Sequence, residues 1–316
     1  MKYKKSITSI ISVIISIACL YFFYKEVDSF SIFFKQIQSA KYLYILIAII
    51  LLCFTVFIRS LRWNILLGGD KKLYTLFKIQ MIGYFGNNIL PFRTGEVLKS
   101  FLLGEKEDIS KSYALSTIII ERFLDMLMLL FFAMVCIFIS PISKIGETPL
   151  YYLLIVILGT IGLFILLFII ISKVFGKVKF IQNFMDKLVL AYKNLSFAQF
   201  IHVNLYGISI WLIYWINVEL IFEAFNVSVD LYQSLIILIV ASVINSIPSL
   251  PGAVGTFHLG VGTTIAALNI IDNGSVESFT TILHLYGYIS LTFIGLYYFI
   301  ADKTIGIRQI GKIRKD

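Results

Sequence analysis

Windows of roughly 18 or more apolar residues recur along this chain, near 6–24, 42–58, 112–139, 150–172, 203–225 and 279–301. Each is long enough to cross ~30 Å of hydrocarbon as a helix. A water-facing surface is excluded by the balance of the whole: 59% hydrophobic and 14% charged, against about 45–50% and about 25% in soluble chains. No stretch is long and polar enough to form a separate soluble domain. The reading is an all-α polytopic membrane protein, a single integral membrane domain over 1–316, with about six full transmembrane helices plus two Pro/Gly-broken re-entrant helical hairpins. The basic start Met1-Lys2-Tyr3-Lys4-Lys5 leads into an apolar run to about Tyr24 with no small-x-small cleavage site, which predicts an uncleaved helix.

The net charge of +9 lies in short loops and tails beside apolar spans. That placement points to topology and anionic lipid headgroups and away from nucleic acid. Lys and Arg are rich in the N-terminal tail, 59–72, 173–200 and the C-terminal tail, and poor in 140–149, 226–230 and 272–278. The alternation predicts a multi-pass protein of the cytoplasmic membrane with both termini cytoplasmic. Loop 25–41 is basic on the predicted outer side, but Phe30, Phe33, Phe34 and Ile37 space it as an amphipathic interfacial helix. Cys19, Cys53 and Cys136 lie in apolar runs without metal-like spacing, so no disulfide and no metal are expected.

Two apolar regions, about 73–105 and 231–271, are interrupted. Asn88, Pro91, Gly95 and Val97 fit N-x-x-P-x-x-x-G-x-V, and so do Asn245, Pro248, Gly252 and Val254. With a span before and after each, the pattern predicts repeat halves of about 42–139 and 203–301, inverted in the membrane. Pro stops the incoming half-helix and Gly permits close approach or positive φ. A second half-helix then aims unpaired N–H groups at the break. Thr94 is the expected N-cap and Glu96 lies in the first turn, while Pro251 suits the first turn of the other half-helix. Polar backbone at such depth is tolerated only in protein or against a wet cavity. Two helix N-termini there would suit a lipid phosphate.

Glu121, Arg122 and Asp125 sit inside the span 112–139, where each charge costs about 2.5–3.5 kcal/mol near the bilayer centre. They read either as a structural ion pair to a neighbouring helix, Arg93 being one partner, or as the wall of a cavity that handles a charged headgroup or a proton. Arg93 offers a fork for phosphate, or a partner for Glu96 or Glu121. Lys99 is expected to snorkel to the interface. Arg59, Arg62 and Trp63 read as a cytoplasmic anchor, and Glu219 and Glu223 as solvated. His258 reads as a proton carrier or a hydrogen-bonded core histidine; His202 and His284 suggest no role. Gly252, Thr256, Gly260 and Thr264 form a small-residue stripe for helix packing. There is no P-loop, G-x-S-x-G, H-E-x-x-H or CxxC pair, so no cofactor is expected. Glu96, Glu121 and Asp125 could still serve a transferase as acid and base.

Taken in order, Arg59-Ser-Leu-Arg62-Trp63, N-x-x-P-x-R-x-G-E at 88–96, Glu121-Arg122-x-x-Asp125 and P-x-x-P-G-x-x-G at 248–255 resemble the lysylphosphatidylglycerol synthase transmembrane-region family of flippase-like membrane proteins. The resemblance runs from about 40 to 300. It implies movement of aminoacylated phosphatidylglycerol, or a related lipid-linked headgroup, between leaflets. Bifunctional members add a cytosolic lysyltransferase domain, which this chain, ending at Asp316 after a short basic tail, is expected to lack. Ala253 and His258 depart from the family pattern, which has a second glycine and an acidic residue there. The expected function is lipid transport, with aminoacyl or glycosyl transfer to lipid as the enzymatic alternative. A separate soluble aminoacyltransferase or glycosyltransferase is the expected protein partner. The expected substrate contacts are Asn88, Arg93, Gly95, Glu96, Glu121, Arg122, Asp125, Asn245, Gly252 and His258.

Overall fold

Four long helices carry the architecture of the described residues. In the computed structural model, which describes residues 17–25, 30–90, 94–140, 195–246, 251–271 and 276–302, α1 is Phe30–Ser39, α2 Tyr42–Leu66, α3 Leu73–Ile89, α4 Gly95–Glu107 and α5 Lys111–Ile139. The second part holds α6 Phe197–Ala224, α7 Leu231–Ser246, α8 Thr256–Ala267 and α9 Val276–Ala301. Residues 17–25 are also helical. The apolar windows of α2, α5, α6 and α9 are long enough to span a bilayer, with mean hydropathy from 1.4 to 2.5. The described residues are all helix, turn and coil, the fold class of a polytopic α-helical membrane protein. The expected span at 150–172 and most of that at 6–24 lie outside the described residues.

Local chemistry sets the helix starts. Ser110 Oγ accepts from the Tyr113 amide at 3.0 Å and opens α5. Ser196 and Gln199 form a reciprocal capping box that opens α6. The two interrupted regions are broken where expected. α3 ends at Ile89 with Leu90 extended, and α4 starts at Gly95. α7 ends at Ser246, and a 3-10 turn over Pro251–Ala253 precedes α8. Two expectations for these starts fail. Thr94 occupies the N-cap position with helical dihedrals (φ −68°, ψ 0°) and makes no side-chain cap. Its hydroxyl therefore does not take the extended approach that a capping residue needs. Pro251 opens the 3-10 turn rather than α8, because Gly252, Ala253 and Gly255 at φ 67°, 55° and 90° turn the chain first.

Each half-helix pair folds back on itself, α3 on α4 and α7 on α8, and the long helices pack around the pairs. Exchanging α2 with α6, α3 with α7, α4 with α8 and α5 with α9 leaves these helix contacts in place. The α2–α6 contact maps on itself, α3–α9 on α7–α5, α2–α3 on α6–α7, and α2–α9 on α6–α5. The 3-10 turn also packs on α3, so the second break lies against the first hairpin.

Small residues permit the closest crossings, as in membrane helix pairs generally. A Cβ on Gly95 would stand 2.1 Å from the Gly83 carbonyl oxygen, one on Gly260 2.3 Å from Ile244 Cδ1, and one on Gly295 2.3 Å from the Met81 carbonyl oxygen. The second of these supports the packing role expected for the Gly252–Thr264 stripe. At Gly295 the obstacle is backbone, which cannot swing aside. Gly295→Ala is expected to destabilise the protein by about 1–3 kcal/mol through overpacking. At Gly287 the added Cβ would meet Leu52 Cδ2 at an ordinary 3.6 Å. Gly287→Ala should be neutral or stabilising by up to about 1 kcal/mol. Thermal unfolding of the two variants in the same detergent distinguishes these outcomes.

Candidate functional site

The site begins with a mismatch between sequence and solvent. α2 runs to Leu66, past the expected end at 58, and carries Arg59 and Arg62 into the protein. Arg62 is 0% exposed and Arg59 4%. Both meet Asp125 of α5: Arg59 Nη1 donates to Oδ2 at 2.8 Å and Arg62 Nη2 to Oδ1 at 2.9 Å. Arg62 Nη2 also lies 3.5 Å from Glu121 Oε1. Trp63 is buried beside them, its indole N–H donating to Thr117 Oγ1 at 2.9 Å. The anchor reading of Arg59, Arg62 and Trp63 is therefore wrong. Glu121 and Asp125, one turn apart on α5, present a double acidic face that draws the arginines inward. These arginines pair the intramembrane acids; Arg93, the partner expected from sequence, lies outside the described residues.

A second layer comes from the first hairpin. Lys99 of α4, expected at the interface, is 2% exposed. Its stem lies on Gly83, where a Cβ would come 2.4 Å from Lys99 Cγ. That opening lets the ammonium turn inward. Lys99 Nζ donates to Gln80 Oε1 at 3.0 Å, pairs with Glu96 Oε2 at 2.8 Å and stands 3.9 Å from Glu121 Oε2. It also sits 5.4 Å over the Trp63 ring. Gln80 Nε2 in turn donates to Glu121 Oε2 at 3.3 Å. Arg122 closes the circuit, 3.5 Å from Asp125 Oδ2 and 3.8 Å from Glu96 Oε1. Asn87 Nδ2 donates to Glu96 Oε1 at 3.3 Å. Among the described residues, four cations (Arg59, Arg62, Lys99, Arg122) face three carboxylates (Glu96, Glu121, Asp125), an excess of one positive charge. The Arg122 side chain is 42% exposed, so the excess has an open edge.

The other expected residues gather at the breaks. Asn88 Nδ2 donates to the Tyr288 carbonyl at 3.2 Å and to Thr292 Oγ1 at 2.9 Å. The Tyr288 ring fills the space in front of Gly252, where a Cβ would come 2.1 Å from Cε2. Tyr288 of α9 thus touches both interruptions. His284, read from sequence as without a role, holds the Gly252 carbonyl at 2.8 Å and stacks on Phe257 with centroids 4.7 Å apart. His258 is buried beside His284. Asn245 is half-buried near the end of α7 and outside the ion network. Glu219, expected to be solvated, is half-buried and accepts from the Ser234 hydroxyl, which also receives the Trp215 indole N–H at 2.8 Å. Among the described residues no group of three His, Cys, Asp or Glu side chains is placed to hold a metal.

Gly95, Glu96, Glu121, Arg122 and Asp125 thus belong to one region, and Asn88, Gly252 and His258 to another. Sequence reasoning missed Arg59, Arg62, Gln80, Lys99, Tyr288 and His284. The i,i+3 spacing of Arg59 and Arg62, matched to the i,i+4 spacing of Glu121 and Asp125, was the available signal.

Long apolar helices, two hairpins broken at glycines and a buried ionic network between them define a polytopic membrane protein with a polar interior. The chain belongs to the lysylphosphatidylglycerol synthase TM region family, whose profile matches residues 9–295. A UPF0104 membrane protein of Methanothermobacter thermautotrophicus is 23% identical over 247 residues, 72% of this chain and 74% of that protein. Two UPF0104 membrane proteins of Methanocaldococcus jannaschii also match. One is 34% identical over 139 residues, 42% of this chain and 40% of the relative. The other is 25% identical over 229 residues, 70% and 96% respectively. No solved structure gives a significant match.

Removing one partner from a buried ion pair strands the other. Asp125→Ala, which removes the carboxylate shared by two buried arginines and leaves Arg59 stranded, is expected to cost about 3–5 kcal/mol. Adding Arg59→Met to Asp125→Ala should recover part of that loss, because one stranded cation goes with it. Denaturant unfolding in mixed micelles reads both values, and strictly additive losses would show that the pair is not coupled.

Proposed function

We propose that the protein is a lipid transporter, which moves an anionic phospholipid or lipid-linked headgroup between leaflets. The observation that carries this reading is the ionic network with one unmatched positive charge and its open edge at Arg122. A phosphate at that edge would complete the charge balance, and a planar guanidinium suits its geometry. Glu96 and Asp125 flank Arg122 and would meet the cationic part of an aminoacylated headgroup. Membership of a family named for the membrane region of lysylphosphatidylglycerol synthase supports a phospholipid cargo. Arg93, Asn88, Asn245 and the glycines of the two breaks would line the path, with the acyl tails left in lipid.

The exchange symmetry of the helix packing supports two repeat halves, about 42–139 and 203–301, and the basic loops support cytoplasmic termini. An inverted repeat of this kind would bring broken helices from both sides toward one polar interior. The transferase alternative needs a carboxylate free to take a proton. Glu96, Glu121 and Asp125 are all engaged by cations, which favours headgroup handling over acid–base work. A soluble aminoacyltransferase or glycosyltransferase would then supply the modified lipid as a separate chain.

The test is reconstitution into liposomes with headgroup-labelled phosphatidylglycerol, lysylphosphatidylglycerol and phosphatidylcholine. Leaflet exchange of the anionic or aminoacylated lipid should fall about tenfold in Arg122→Gln, equal to about 1.4 kcal/mol of lost interaction. The fold should survive, since this side chain is the exposed member of the network. Exchange by wild type no faster than in protein-free vesicles sinks the transport reading. Chemical conversion of the lipid without exchange favours the transferase.

A further inference from the structure

Two imidazoles meet behind the second break. His258 of α8 and His284 of α9 are both buried, with ring centroids 4.8 Å apart and planes at 82°. His284 Nε2 lies 2.8 Å from the Gly252 carbonyl oxygen. A carbonyl can only accept, so Nε2 carries the hydrogen, and the neutral ring keeps a bare lone pair on Nδ1. Among the described residues that buried Nδ1 has no hydrogen-bond partner, and neither has Nδ1 of His258. Two unpartnered ring nitrogens on neighbouring imidazoles are costly in a dry interior.

The surroundings specify what such a pair can take. Phe23 and Tyr24 from residues 17–25 lie 5.4 and 6.2 Å from the His258 ring. Phe257 and Tyr288 lie 4.7 and 5.6 Å from the His284 ring. Tyr24 Oη is within 3.1 Å of Thr281 Oγ1. Glu277, buried two turns before His284 on α9, is the acid of that face. Tyr232, in the first turn of α7, is that helix's one titratable side chain. α1 turns Phe33 toward Tyr24 and leaves Lys35 exposed. The pair therefore sits among aromatic faces that can support a positive charge, and among the described residues no third metal-ligating side chain is placed beside it.

We propose that His258 and His284 form a proton-binding site that gates the second break. One proton from the aqueous phase adds to Nδ1 of His284, and the ring becomes an imidazolium against Phe257 and Tyr288. The new N–H finds no acceptor in the closed arrangement, and a buried unpaired donor is costly. Relief comes by opening the turn over 251–255 to water. This segment holds three residues at positive φ, Gly252, Ala253 and Gly255, and is tied to α9 through the Gly252 carbonyl. Loss of the proton restores the lone pair and the closed turn. The site is independent of which cargo the protein carries.

The experiment combines 15N-histidine NMR of the whole chain in nanodiscs with hydrogen exchange of the 251–258 amides, corrected by an unstructured reference peptide at each pH. One of the two imidazoles is expected to take up a proton only as the pH falls below the ordinary histidine range of about 6.5, because burial disfavours the imidazolium, and exchange over 251–258 is expected to rise about tenfold with it. His284→Gln keeps a donor for the Gly252 carbonyl and removes the titration. It should hold exchange low at every pH, whereas His284→Phe should raise exchange at every pH. Absence of any titration, or exchange in wild type that ignores pH, overturns the proposal. So does a pH response that survives in His258→Gln and His284→Gln but vanishes in Glu277→Gln.

Discussion

A carboxylate in the middle of an apolar helix must find a cation, and here Asp125 finds three. Its contacts with Arg59, Arg62 and Arg122 tie α5 to α2 at a depth where unmatched charge is expensive. The rest of this region follows from that tie. α2 can bury its last two turns only because α5 meets them with acid, and Lys99 can enter only because Glu121 and Glu96 await it. Net stabilisation by such a network is small compared with an apolar core of the same volume. Its value lies in fixing one arrangement of helices and in keeping polar groups inside a structure that otherwise excludes them.

The helix α9 does the corresponding work for the two interruptions. It offers Gly295 to α3, Tyr288 to Gly252, and the carbonyl and hydroxyl of Tyr288 and Thr292 to Asn88. The Asn88 side chain before the first break and the Gly252 carbonyl in the second are thus answered by one neighbouring helix. This is the condition under which irregular chain is tolerated within a membrane domain. Lys106 and Asp302 form an ion pair that fastens α4 to the chain just after α9.

The class of the protein was legible in the sequence because hydrophobic length is a direct physical requirement of the bilayer. The breaks at 90–94 and near 251–255 were legible because proline and glycine leave the helix for steric reasons that need no tertiary context. Glu121 and Asp125 declared themselves by their cost. Their partners did not. Arg59, Arg62 and Trp63 look the same at a membrane boundary as they do folded under a neighbouring helix, and only packing against α5 decides between the two. Lys99 was misplaced for a similar reason: its inward path depends on the missing side chain of Gly83, sixteen positions earlier in the chain. His284 was passed over because a lone histidine in an apolar run carries no pattern, and its partner carbonyl is thirty-two residues away.

The two hairpins are fastened unequally. The first is held by a web of charged contacts running from Glu96 and Lys99 into α5, and by glycines that leave no slack between α3 and α4. Among the described residues, the second is joined to α9 at its turn by a neutral imidazole–carbonyl bond and an aromatic lid over a glycine. Charge-assisted bonds are worth about 1.5–3 kcal/mol each and a neutral one about 0.5–1.5. By the described contacts, the first hairpin is held by the stronger class of bond. Under the proposed transport by two repeat halves, the hairpin that carries the salt would serve as the fixed frame and the other as the moving part.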